Sequence, residues 1–250
     1  MRPVTRLSDR FAEATDRCAD LPQLGKLLGE VALELGFDYF ALLEHSSLVD
    51  SSRGLVRIDN YPDHWVEELL ARGYASDDPV HHACRRTNAG FGWGRLGALV
   101  RLNERHRKIL ERSRYHGIGS GFTIPANVPG NPSASCSFAV RTGHGLPVKR
   151  LDCAELIGIH ALRAARRLRK PTPHGRRPRL SRRQVQCLKL VARGKTDWEI
   201  AHVLGLSIHT AHQYVKAARA AYDTISRTQL VVYGLRDSWI SFEDAIPPNG

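Results

Sequence analysis

Two short segments near the C-terminal end constrain this chain more than any other feature. Thr196-Asp-Trp-Glu199 has the hydroxyl-x-x-Glu pattern of a capping box, so a helix starts at Asp197 and runs to Leu204. Gly205 ends it, because glycine adopts the left-handed backbone of a helix C-cap without a Cβ penalty. Ser207 then caps a second helix, along which Ala211, Val215, Ala218 and Tyr222 recur at helical spacing as one apolar stripe. The other face carries His209, His212, Gln213, Lys216 and Arg219, all able to donate hydrogen bonds outward. Two short helices joined by Gly-Leu-Ser form a helix-turn-helix, whose second helix suits the DNA major groove. Spacing alone leaves open an ordinary helical hairpin with a solvated basic face.

Charge separates these readings. The chain of 250 residues has a net charge of +12 and a pI near 9.9, which suits a polyanionic partner or an acidic membrane surface. Between Leu156 and Thr196 there is no acidic residue, against 13 Lys or Arg, and this run leads straight into the helix-turn-helix. A basic approach to DNA accounts for that placement. The five cysteines, Cys18, Cys84, Cys136, Cys153 and Cys187, are scattered and odd in number, as expected of reduced thiols in a cytoplasmic protein. No apolar run approaches the roughly 18 residues of a membrane span, and no signal peptide pattern is found.

Upstream, Phe11, Ala14 and Cys18 mark one helix, and Leu24, Leu27, Leu28 and Val31 a second that Gly36 stops. Phe37 to Glu44 reads as a core strand, with Leu55 to Ile58 as its neighbour. Helices are expected over Pro62 to Gly73, after Asp78-Pro79, and over Leu102 to Tyr115. Gly121 to Pro125 and Ser133 to Arg141 read as adjacent strands with Asn127 to Pro132 as the turn, followed by a long helix from Leu151 to Leu168. The fold expected is α+β: an N-terminal α/β/α sandwich around a central antiparallel sheet, linked to a small all-α, four-helix helix-turn-helix domain. Residues 1–169 form the first domain and 170–179 a basic, proline-rich linker. Residues 180–240 form the second domain and 241–250 a tail.

Residue identities carry the reading further. Leu180-Ser-x-Arg183, Ala192-x-Gly194-Lys195-Thr196, Glu199-Ile200-Ala201, Leu204-Gly205-Leu206-Ser207 and Ser226-Arg227-Thr228-Gln229 resemble the LuxR-type DNA-binding domain over about 60 residues. Tyr61-Pro-x-x-Trp65, an Asp-Pro pair 13 residues beyond Trp65, and Trp93 at 15 beyond Asp78 resemble the acyl-homoserine-lactone-binding domain of LuxR-type quorum-sensing regulators. Gly121-x-Thr-x-Pro125 and Ser137 continue the match, in the family's domain order. The resemblance implies a quorum-sensing transcriptional regulator that binds an N-acyl or aryl homoserine lactone. It would bind a promoter inverted repeat as a homodimer and act with RNA polymerase.

Roles follow from the resemblance, and donor chemistry agrees with them. The Trp65 indole only donates, which suits the lactone carbonyl; ionised Asp78 only accepts, which suits the ligand amide N–H. Tyr61 can donate to the amide carbonyl, and Ser137 would meet the acyl chain near its third carbon, directly or through water. Trp93 would wall the lactone ring, with Val80 in contact. Leu69 departs from the pattern, since the family usually has tyrosine there, so the tail expected is long, branched, aryl or otherwise unusual. On the DNA side, His212, Gln213 and Lys216 match base-reading positions, and Lys195, Thr196, Thr210 and Arg227 phosphate-contacting ones. His212 stands where lysine or arginine is common, Tyr214 where histidine is common, and Gln184 in place of a glutamate that would make a structural charge pair.

No catalytic residue, metal site or cofactor is expected. His81-His82-x-Cys84 places adjacent histidines about 100 degrees apart on a helix, which is poor ligand geometry. Ser120 in Gly117-Ile-Gly-Ser-Gly121 is off register for a nucleophile elbow. The competing readings are a ligand-independent LuxR-type regulator with a filled pocket, for which Leu69 speaks, and a lactone-processing enzyme, for which no nucleophile–base pair speaks.

Overall fold

A computed structural model describes residues 3–45, 57–128, 132–169 and 178–246. These fall into two compact units, one before residue 170 and one after it. The segment read as a linker lies almost wholly outside the described residues, as do residues 55–56 of the expected second strand, the centre of the 127–132 turn and the last four residues.

The N-terminal unit begins with α1 (Pro3–Arg17) and α2 (Leu21–Leu35), and Asp20 caps α2 by accepting from the Gln23 N–H. Strands β1 (Tyr39–Glu44) and β2 (Arg57–Asp59) follow, then α3 (Asp63–Ala71), α4 (Tyr74–Asp77) and α5 (Pro79–Cys84). A two-residue strand β3 (Phe91–Gly92) leads through a 3-10 turn into α6 (Leu96–Leu99) and α7 (Glu104–Tyr115). Strands β4 (Ile118–Ala126) and β5 (Ala134–Arg141) and the long α8 (Leu151–Leu168) complete the unit. Helices α4 and α6 and strand β3 have no counterpart in the sequence reading; four, four and two residues are too short for a period to show.

The five strands form one antiparallel sheet in the order β2-β1-β5-β4-β3. Side chains alternate between its faces, so parity in the sequence decides which layer each joins. Phe40 and Leu42 of β1, Phe122 and Ile124 of β4, and Cys136, Phe138 and Val140 of β5 point to one face. There they bury against α1, α2 and α8 in the main core with Leu24, Leu28, Leu35 and Ile157. The opposite face holds Tyr39, Ala41 and Leu43 of β1, Arg57 and Asp59 of β2, Thr123 of β4, and Ser135, Ser137 and Ala139 of β5. It is covered by α3, α5 and α7, which complete the sandwich.

The C-terminal unit contains α9 (Arg182–Ala192), α10 (Asp197–Leu204), α11 (Ile208–Ala221) and α12 (Arg227–Arg236), the four expected helices. A fifth, α13 (Phe242–Ala245), lies in the segment read as a tail. Lys189 on α9 meets Asp244 at 2.9 Å and Arg193 donates to the Asp244 carbonyl at 2.8 Å, so the described part of that segment belongs to this unit. Gln184 closes a capping box with Ser181, accepting from its N–H at 2.6 Å; a neutral amide does the capping work there. All five cysteines are buried and free. No helix among the described residues is long and apolar enough to cross a membrane.

Candidate functional site

The second face of the sheet does not close completely against its covering helices. Between them lies a cavity, partly open to solvent, lined by Tyr61, Trp65, Leu69, Asp78, Val80, Trp93 and Ser137. All seven residues predicted to meet a ligand therefore come together in one place. Three devices position them.

The first is the start of α5. Asp78 is its N-cap, Oδ1 accepting from the Val80 N–H at 2.8 Å, and Pro79 at the first helical position fixes the entry angle. This bond locks the carboxylate and leaves Oδ2 toward the cavity, 3.9 Å from His81 Nε2, beyond hydrogen-bond reach.

The second is α3, which carries Trp65 and Leu69 over the cavity. Glu68, one turn from Trp65, ties α3 to α7 by accepting from both Arg112 Nε at 2.8 Å and His116 Nε2 at 2.7 Å. Those two bonds, with desolvation opposing them, hold the Glu68 carboxyl at a pKa of about 2. The Trp65 indole N–H and the Tyr61 hydroxyl have no hydrogen-bond partner among the described residues, although both line the cavity and Trp65 is buried. Burial, and then the Asp78 and Asp59 charges, push the Tyr61 phenol well above its usual range, so it stays a donor.

The third device crosses the sheet. The Trp93 indole N–H donates to Thr123 Oγ1 at 2.9 Å, and Thr123 shares a 2.8 Å hydrogen bond with Ser137 Oγ. Trp93 thus has its one donor occupied and offers the cavity a ring. Gly121 makes room for that ring: a Cβ there would stand about 2.5 Å from Trp93 Cε2. The sequence reading quoted Gly121 and Thr123 in the family pattern but gave neither a role. It also missed Arg57, Asp59 and His81, which line the cavity as well. The Arg-Ile-Asp alternation of β2 was the available signal, but the strand's pairing was needed to see which face it showed.

The DNA-side residues all lie on the helix-turn-helix or beside it. Gly205 has φ +62, and Ser207 caps α11 by accepting from the Thr210 N–H. Ala211, Val215 and Ala218 are buried against a core with Leu188 and Leu230, whereas His209, His212, Gln213 and Lys216 are exposed. Gln213 and Lys216 make no side-chain hydrogen bond among the described residues, so both donors are available. The others already have protein partners. Lys195 Nζ meets Glu199 at 2.9 Å, Thr196 caps α10 and donates to Glu199, and Thr210 bonds the Ser207 hydroxyl. His212 Nδ1 and Arg227 Nη1 both meet Asp197, at 2.8 and 2.6 Å, and Arg227 Nη2 donates to the Lys195 carbonyl at 2.7 Å. Arg227 therefore braces α12 against the start of α10, and Asp197 holds the His212 ring on the outward face of α11.

Two family profiles match the chain: one described as an autoinducer binding domain over residues 20–168, the other as bacterial regulatory proteins of the luxR family over residues 178–234. The chain belongs to the LuxR family. It is a quorum-sensing transcriptional regulator with an autoinducer-binding and a DNA-binding domain. Among curated relatives, the transcriptional activator AhyR of Aeromonas hydrophila is 24% identical over 234 residues, covering 91% of this chain and 88% of that one. The quorum sensing-dependent regulator RpaR of Rhodopseudomonas palustris is 24% identical over 225 residues, covering 90% and 91%. The fold of this LuxR-family chain is that of Escherichia coli SdiA, at a TM-score of 0.67 and 22% identity over 93% of this chain and 97% of the other. A second SdiA structure, in complex with octanoyl-rac-glycerol, gives a TM-score of 0.65 at 20% identity, covering 95% and 96%.

Proposed function

We propose that the cavity binds an N-acyl or aryl homoserine lactone, and that the liganded protein binds an inverted-repeat promoter site as a homodimer in the cytoplasm. The observation that carries this is the donor and acceptor set around the cavity. Among the described residues Trp65 and Tyr61 are donors without hydrogen-bond partners and Asp78 has one oxygen to spare, while Ser137 is held by a hydrogen-bonded chain. A lactone carbonyl, an amide carbonyl and an amide N–H complement them group for group, and Trp93 and Val80 wall the ring and the first part of the tail. The protein needs no cofactor for this, and its role is recognition rather than catalysis.

Lys216 and Gln213 are the base-reading donors, with His212 set beside them by Asp197. Lys195, Thr196, Thr210 and Arg227 stand where the backbone would pass, Arg227 having a bracing role as well. One such module reads few base pairs, so two half-sites about one helical turn apart follow from a symmetric dimer, which then works with RNA polymerase. Ligand burial stabilises the N-terminal unit and raises DNA affinity by linkage.

The test is selection of DNA sites from a randomised duplex pool by the full chain, with and without a lactone panel. An inverted repeat enriched only with ligand, and lost in Lys216→Ala, is the expected result. Enrichment that is stronger without ligand would overturn the ligand-promoted binding.

A further inference from the structure

The far end of the cavity is unusually polar for a pocket that would receive a hydrocarbon tail. Strand register lays out the path. Ser137 on β5 is paired with Ala41 on β1, and Ala41 with Asp59 on β2, so these three form one row across the sheet face. The next row is Ser135, Leu43 and Arg57. With Ser137 near the first acyl carbons, a tail lying along these rows crosses two inter-strand spacings, about 10 Å, and ends against β2. There it meets an ion pair, Arg57 Nε to Asp59 Oδ2 at 2.7 Å, in which the Asp59 side chain is only 10% exposed. His81, 5% exposed, lines the same cavity. Its Nδ1 lies 3.2 Å from the Ala75 carbonyl and donates to it, which in the neutral ring leaves Nε2 as an acceptor. That nitrogen's nearest acidic oxygen, on Asp78, is 3.9 Å away.

A plain alkyl terminus pressed on this ion pair would strip water from a guanidinium and a carboxylate and return no hydrogen bond. A hydroxyl accepts from the guanidinium and donates to the carboxylate, so it matches what the wall presents. We propose that the signal recognised by this chain carries a hydroxyl at the end of its acyl or aryl tail, read by Arg57 and Asp59. This rests on the homoserine-lactone reading of the cavity and adds the class of tail.

The experiment is titration calorimetry of the full chain with N-alkanoyl homoserine lactones of increasing length and N-arylacyl homoserine lactones, each paired with its ω- or ring-hydroxyl counterpart. At the length that reaches β2, the hydroxyl form binds tighter by roughly ten- to a hundredfold. The preference disappears or reverses in Arg57→Met/Asp59→Leu, while Asp59→Asn, which keeps a hydrogen-bonding group, retains part of it and controls for misfolding of the double variant. Alkyl and aryl lactones that bind as tightly as their hydroxyl partners at every length would overturn the tail assignment and leave the lactone site standing. If no lactone of either series binds, the lactone reading itself falls, and the tail assignment with it.

Discussion

One sheet, two faces: the alternation that builds the core of the N-terminal unit also builds its site. On β5, Cys136, Phe138 and Val140 are buried against α2 and α8, while the intervening Ser137 points the other way, toward the cavity. The core face is satisfied by packing alone. The cavity face is polar-tipped, and two of its donors, Trp65 and Tyr61, have no hydrogen-bond partner among the described residues. The difference teaches that stability and recognition are divided by residue parity, so neighbouring positions should respond to mutation in different ways.

The largest contrast is expected between adjacent residues of β5. Phe138→Ala empties a fully buried site and should destabilise the unit by about 3–5 kcal/mol, measured by denaturant unfolding. Ser137→Ala should cost less than about 1.5 kcal/mol in the same assay, the scale of one hydrogen bond, and show itself in ligand affinity instead. Equal losses of stability would erase the two-face distinction. Next in size is the carboxylate. Asp78→Asn keeps an N-cap for α5 but puts an amide donor in reach of the ligand amide, so lactone affinity should fall roughly tenfold or more with little change in melting temperature. Gly121→Ala sharpens the same point from the opposite side of the cavity, because its Cβ must displace the Trp93 ring; ligand binding should weaken, read by quenching of tryptophan fluorescence.

A pH dependence is expected at the edge of the polar face. His45 is half-buried, stacked on His81 at 4.5 Å, and bonded through Nε2 to Ser135 at 2.9 Å. Burial, then the His81 and Arg85 charges, lower its pKa from 6.5 to about 3. The unfolded chain therefore takes up this proton first as pH falls. Its contribution to stability is intact above about pH 6.5 and is lost progressively toward pH 3. Glu68 acts in a more acidic window, from about pH 4.5 down to 2, because its folded pKa is depressed. His45→Gln should flatten the upper part of the acid limb in melting curves, and Glu68→Gln the lower part. An unchanged curve in either variant would remove that group from the account.

Much of this was legible in the sequence where the signal is local. The capping box at Thr196, the break at Gly205 and the cap at Ser207 depend on neighbours within four residues, and each forms as expected. Trp65 and Asp78 were singled out by their joint spacing, and both line the cavity. What escaped was assembled across strands. Arg57 and Asp59 reach the cavity, and Thr123 and Gly121 reach Trp93, only through pairing between segments far apart in the chain, and no local pattern gives that register. The same limit applied to Arg227, whose contact with Asp197 spans 30 residues. Gln184 differs in kind: the loss of a charge was visible, but not that its amide would close the Ser181 capping box.

The most direct test of the central claim is thermal unfolding of the full chain and of Asp78→Asn across a panel of acyl, aryl and ω-hydroxyacyl homoserine lactones. The account predicts that at least one lactone raises the melting temperature of the wild type and that the rise is lost in Asp78→Asn. A lactone that stabilises both proteins equally, or a panel that stabilises neither, would contradict it.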